Sequence, residues 1–249
     1  MSKLPLFFIT ICLISSITFK VSVLTAQDAE DIVSELQQKL EKSDEDTLKV
    51  KLLMDLAWEF QRNNTKAAYK YAWEGLSLSE ALNYQLGIAD ALSTIAQLKN
   101  IEHQYDSCVY YYLKSEKLYD KLGELSGQAA ALSGLGYIYG VMARYDESVE
   151  MLRRVKEMYL TLGDTIKYGS TLGKIGTTYA RMGNRELAIQ NYNAALEIGK
   201  KYNDYRLQYG PSSNMSNIYL KEGKNHEALE YLLIARKVVE TGNDKRSLS

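Results

Sequence analysis

Proline is nearly missing from this chain: Pro5 and Pro211 are the only two in 249 residues. Long stretches are therefore free to run as uninterrupted helix. Cysteine is as scarce. Cys12 sits inside the one long apolar run, where Ile11 before it rules out a lipidation motif, and Cys108 is the other. With that run removed a single thiol remains, so no intramolecular disulfide can staple the fold. Histidine occurs only at His103 and His226, too few for a multi-histidine metal site. Neither charge sign is in excess. Thirty Lys and Arg against thirty-one Asp and Glu leave a net charge of −1, which gives no basis for binding nucleic acid or an anionic membrane surface. Alternating runs of Val, Ile and Thr, the mark of half-buried strands, are absent as well.

What is present begins with the N-terminus. Lys3 opens a stretch, Leu4 to Phe19, that is almost wholly apolar or Ser/Thr, and Ala26 stands before Gln27 and a run of acids. At roughly 16 residues the apolar run is short of the ~20 needed to span a bilayer. It reads as a secretory signal peptide, residues 1–26, cleaved after Ala26. Lys20 directly after the apolar core and Leu24 near the cut leave open an uncleaved anchor formed by residues 4–19. Either way the chain is expected to be exported, and a single thiol suits a bacterial periplasm. Residues 27–46 form a first amphipathic helix, with Ile32, Leu36 and Leu40 on one face.

From there the sequence repeats itself every 40 residues. Leu135-Gly136-Tyr137-Ile138-Tyr139 returns as Ile175-Gly176-Thr177-Thr178-Tyr179, and Ser216 and Tyr219 hold the same two places in the next copy. Cys108, Ser148, Ala188 and Ala228 match, as do Ser115, Val155, Ala195 and Ala235. Gly123-Glu124, Gly163-Asp164, Asn203-Asp204 and Asn243-Asp244 mark the turns between copies, where Gly or Asn takes the left-handed helix end and an acid opens the next helix. Gly183-Asn184 and Gly223-Lys224 turn within copies. The expected units are 47–83, 84–123, 124–163, 164–203 and 204–244, with 245–249 opening a further repeat or truncated. Gly210-Pro211 predicts a fifth first helix that begins near Pro211 or bends there. A small residue in each first helix lets the second approach closely. Neither helix of a pair buries its apolar face alone, so neighbours must stack.

Gly136-x-x-Tyr139, Gly176-x-x-Tyr179 and Ala188-x-x-x-Tyr192-x-x-Ala195 resemble the tetratricopeptide repeat, in a 40-residue long-helix form similar to that of kinesin light chain rather than the usual 34. The resemblance spans roughly residues 47–244. It implies an all-α, right-handed solenoid of five hairpins. It also implies a concave groove lined by the first helices, offering Trp58, Arg62, Gln97, Asn100, Tyr137, Thr177, Arg181, Asn217 and Lys221 to an extended peptide or protein. Arg62, Arg181, Asn217 and Lys221 could receive its carboxylates and backbone.

Catalytic alternatives are weaker. Gly134-Leu135-Gly136 lacks the strand and third glycine of a dinucleotide loop, and Gly173-Lys174 lacks the rest of a phosphate loop. No Ser/His/Asp set is visible as a local motif. No enzyme, cofactor or metal is therefore expected. An exported array opening with Asp46-Thr47-Leu48-Lys49-Val50-Lys51-Leu52-Leu53 resembles the sensory front ends of Bacteroidetes-type signalling proteins, whose output modules are kinases, cyclases or transcriptional regulators. The alternative is a stand-alone periplasmic scaffold. Membrane contact is expected only through the N-terminal signal or a segment beyond residue 249.

Overall fold

A computed structural model describes residues 30–247. The expected signal peptide, 1–26, lies outside the described residues. Helix α1 covers 30–41. It is followed by α2 (Thr47–Phe60), α3 (Thr65–Ala81), α4 (Gln85–Ile101), α5 (Tyr105–Leu122), α6 (Leu125–Val141), α7 (Tyr145–Thr161), α8 (Thr165–Arg181), α9 (Arg185–Tyr202), α10 (Tyr205–Lys221) and α11 (Asn225–Ser247). No strand occurs among the described residues, and the fold is all-α. The chain divides into two compact units within α4, between Thr94 and Ile95.

In the first unit Asp46 caps α2, its Oδ1 accepting from the backbone N–H groups of Leu48 (2.9 Å) and Lys49 (3.0 Å). Leu52, Leu53, Leu56 and Ala57 of α2 and Ala68, Ala72, Gly75 and Leu76 of α3 are buried. A Cβ on Gly75 would come 2.3 Å from Met54 Cε and 3.4 Å from Leu53 Cβ, which shows how close the two helices lie. Phe60 and Tyr71 stack with ring centroids 5.7 Å apart, and Gln37 of α1 donates to the Tyr71 hydroxyl at 3.3 Å. The inward face of α1 is Val33, Leu36, Gln37 and Leu40; Ile32, expected on that face, is 47% exposed. One residue of helical rotation explains the difference. Both sets have helical spacing, and packing on the neighbouring hairpin chose between them.

The second unit stacks hairpins α6–α7, α8–α9 and α10–α11, with α5 against α6. Its core includes Val149, Leu152, Ile175, Tyr179, Ala188, Tyr192, Leu196, Met215 and Ile218, drawn from the four helices α7 to α10. The small residues mark the seams. A Cβ on Gly176 would lie 2.9 Å from the Tyr192 ring and 3.1 Å from the Ala188 carbonyl oxygen. Gly199 is tighter still, because its added Cβ would meet backbone atoms of Leu207 at 2.8 Å and Gln208 at 2.9 Å. Of the tyrosine run 110–112, Tyr112 is buried at 6% and Tyr110 is 52% exposed, as expected of three directions round a helix.

Left-handed residues fall at Asn83, His103, Gly123, Ala143, Gly163, Gly183, Asn203 and Gly223, one every 20 residues. Each closes a helix with backbone N–H donation back into its last turn, for example Glu124 to the Tyr119 carbonyl at 2.9 Å and Asn184 to the Tyr179 carbonyl at 2.9 Å. Two expectations are corrected. Helix α10 starts at Tyr205, six residues before Pro211, and carries the proline inside it. Asp204 caps its start, accepting from Arg206 (2.9 Å) and Leu207 (3.0 Å), and burial of Leu207, Pro211 and Met215 holds the proline-bearing turn against the core. The turn expected at Asn243-Asp244 does not form, because α11 continues to Ser247.

Candidate functional site

Helices α6 and α8 do not close on one another along their whole length. Between them lies a cleft of about 230 Å³, lined by Gly136, Tyr137 and Gly140 of α6, Leu152 of α7, and Lys174, Thr177, Thr178 and Arg181 of α8. Spacing puts these groups together. Residues 136, 137 and 140 share one face of α6, and 174, 177, 178 and 181 share one face of α8. The two glycines open the space, since neither offers a side chain to fill it. Leu152, 1% exposed, forms an apolar floor.

Polar groups ring that floor. The Lys174 ammonium donates to Ser133 Oγ at 2.6 Å, and Arg181 Nη1 donates to the Gly140 carbonyl at 3.3 Å. The Tyr192 hydroxyl donates to Thr177 Oγ1 at 3.1 Å. Thr177 Oγ1 in turn donates to the Gly173 carbonyl at 3.0 Å. Beneath them Ser148 Oγ bonds the Gly136 carbonyl at 2.7 Å and lies 3.1 Å from Thr178 Oγ1. Tyr137 stands at the mouth, 52% exposed. Much of the Lys174 side chain is also open to solvent, but the cleft walls strip water from its ammonium and lower its pKa. Burial raises the pKa of Tyr192, although bonds to Thr177 and Asn214 and the nearby Arg181 charge oppose the shift.

The electrostatics are one-sided. The cleft holds two cationic side chains, and none of its lining residues is acidic. Both cations bond a neutral oxygen there, a hydroxyl and a carbonyl, which a carboxylate could displace to form a stronger charge-assisted pair. An aromatic ring at the mouth, an apolar floor and two cations suit an anionic group attached to an apolar or extended chain.

Of the groove residues expected from sequence, the structure brings Tyr137, Thr177 and Arg181 into this cleft. Gln97 and Asn100 are half-buried on α4, and Asn217 and Lys221 are exposed on α10; none of the four lines it. Trp58, 60% exposed, and Arg62 lie on and just beyond α2 in the first unit. Lys174 was missed. It precedes Thr177 by three residues and Arg181 by seven, so the same helical spacing places it on their face. His103 and His226 are exposed, and no metal-binding group of three or more His, Cys, Asp or Glu occurs among the described residues. No helix among them is long and apolar enough to cross a membrane.

Stacked hairpins with a lined cleft define a repeat-built helical fold. Residues 127–201 match the tetratricopeptide-repeat family, a segment that contains every residue lining the cleft. No curated protein matches the sequence. Solved structures do match in fold. BtubC (BKLC) from P. vanneervenii is 16% identical with a TM-score of 0.71, over 87% of this chain and 90% of that one. A Rap protein complexed with competence and sporulation factor is 16% identical with a TM-score of 0.67, over 79% of this chain and 57% of that one. A signal transduction ATPase with numerous domains, which carries a tetratricopeptide repeat sensor and comes from Pyrococcus horikoshii, is 13% identical with a TM-score of 0.66, over 88% of this chain and 37% of that one. The chain thus spans little more than half of the Rap protein and just over a third of the ATPase. The likeness is one of fold, a stack of helical hairpins of the tetratricopeptide type.

Proposed function

We propose that this chain is an exported, non-catalytic binding array that takes an acidic peptide segment in the α6–α8 cleft, as the sensory region of a larger signalling protein. The observation that carries the reading is the cleft itself: Lys174 and Arg181 over an apolar floor, with no lining acid to neutralise them. Tyr137 would pack on the peptide's apolar part, and Thr177 would hydrogen-bond its backbone. The complex of the similarly folded Rap protein with competence and sporulation factor supports a binding role, and the tetratricopeptide repeat sensor of the Pyrococcus horikoshii ATPase supports a sensory one. Lys3, the apolar run 4–19 and Ala26 support export with signal cleavage.

Partner capture from the native extracytoplasmic fraction, compared with capture by a Lys174→Glu/Arg181→Glu variant, tests the cleft. Loss of a specific partner is expected, and capture that survives both charge reversals would sink the reading. N-terminal sequencing of the mature protein checks export, with Gln27 as the expected first residue. A spanning apolar stretch and an output module encoded beyond Ser249 would establish the sensory role. A stop codon after one capping helix would instead establish a stand-alone scaffold.

A further inference from the structure

We propose that the α6–α8 cleft selects its peptide by the spacing of two acids, taking a segment in the polyproline II conformation with acids at positions i and i+3. The inference rests on the reading of this cleft as a receptor for an acidic peptide, and it names the feature that such a peptide must carry.

Two cross-links set the scale. The Lys174 ammonium is held 2.6 Å from Ser133 Oγ, and Arg181 Nη1 is held 3.3 Å from the Gly140 carbonyl. Both pairs are 41 residues apart in sequence, so α6 and α8 run in step along this stretch. The cations therefore stand seven residues apart on α8, and their two anchors stand seven apart on α6. At a rise of about 1.5 Å per residue, one charged head lies about 10.5 Å from the other. An ammonium has three donors and a guanidinium five, and each spends one on its anchor, so both can take a carboxylate without letting go. Tyr137 stands between the anchors, four residues after Ser133 and three before Gly140, with its ring 52% exposed.

The repeat itself does not call for these cations. Forty residues to either side of Lys174 stand Gly134 and Asn214, and to either side of Arg181 stand Val141 and Lys221. Neither neighbouring first helix carries a cation at both places, so the hairpins stack without the pair.

Polyproline II is the extended conformation that matches the span. It advances about 3.1 Å per residue and repeats every three, which puts i and i+3 on one side about 9.3 Å apart. A β-strand sets same-side residues about 6.7 Å apart at i+2 or about 13 Å apart at i+4. An α-helix matches at i+7, but its diameter of about 10–12 Å is too great for a cleft of about 230 Å³. Between its two acids a polyproline II segment turns the intervening residues to the sides, where one of them meets the Tyr137 ring. Aromatic rings are a general platform for segments of this conformation.

Fluorescence anisotropy with capped, labelled, proline-rich peptides tests the proposal. The peptides share one length and one net charge and carry two glutamates two, three or four residues apart; an alanine-rich helical peptide with glutamates seven apart completes the set. The three-residue spacing should bind about tenfold more tightly than any other. Lys174→Met and Arg181→Met, which keep the apolar stem, should each weaken that peptide about tenfold and make all spacings equal, with helical content and melting unchanged. Equal affinity for every spacing in the unmodified chain, still lost in Lys174→Glu/Arg181→Glu, overturns the spacing rule and leaves the acid-binding cleft standing. Tightest binding by the two-, four- or seven-residue spacing overturns the rule as well. Binding of none of the peptides overturns both the rule and the acid-binding cleft.

Discussion

Ser148 Oγ donates a 2.7 Å hydrogen bond to the Gly136 carbonyl across the α6–α7 hairpin, and the same buried hydroxyl lies 3.1 Å from Thr178 Oγ1 on α8. One side chain thus joins two consecutive hairpins directly beneath the cleft. Alanine fills the same register position at Ala188 and Ala228, so Ser148→Ala fits the space and removes only the polar link. A loss of about 1 kcal/mol is expected from urea unfolding. Gly136→Ala should cost about 1–3 kcal/mol, because its Cβ would come 2.8 Å from Leu152 Cγ and press on the same seam. The two substitutions share a contact and should not be additive. Additive losses would show that the seam is looser than the structure places it.

Ala143 occupies a left-handed turn, φ 59°, where the next two copies have Gly183 and Gly223. Its Cβ makes that conformation unfavourable by roughly 1–2 kcal/mol. Ala143→Gly should therefore raise stability, by about 1 kcal/mol once the extra freedom of glycine in the unfolded chain is subtracted. The reverse change, Gly183→Ala, should lower it by a similar amount. Urea midpoints measured on the pair check this, and a destabilised Ala143→Gly would count against the turn geometry.

Cys108 is fully buried, and loss of water around it pushes its thiol up from the ordinary 9.0 to about 11. The folded state then holds the proton more tightly than the unfolded state. The associated stability is complete below pH 9 and is lost as pH climbs from about 9 to about 11. Cys108→Ala, an exchange that the register allows, removes that loss. Wild type and variant unfolded in urea at a series of alkaline pH values should diverge in this window, the wild type falling faster. Parallel curves would mean that the thiol is solvated.

Much of the fold was legible because its period was. The small residue at Gly136, Gly176 and Ser216 and the glycines or asparagines at Gly123, Gly163, Gly183, Asn203 and Gly223 are chemically forced positions, and they recur on schedule. The turn at Ala143 carries no such preference, that at His103 only a weak one, and both are found by counting from their neighbours. Pro211 misled for the opposite reason: its local tendency to start a helix was overridden by the Asp204 cap and by burial. Gly242-Asn243 has the composition of a turn, yet α11 runs through it to Ser247. The cleft was half legible. Tyr137, Thr177 and Arg181 follow from register, whereas the space between them depends on two glycines of one helix facing the next, a relation that no single segment contains.

A left-handed residue every 20 positions has a consequence for how such a chain can change. Inserting one residue inside a helix turns everything after it by about 100° and sends apolar faces into solvent. Inserting 20 would pair a first helix with a first helix. Only a multiple of 40 leaves every seam matched. Length can therefore vary only in whole hairpins, which makes the hairpin the heritable unit and the number of hairpins the quantity on which selection can act.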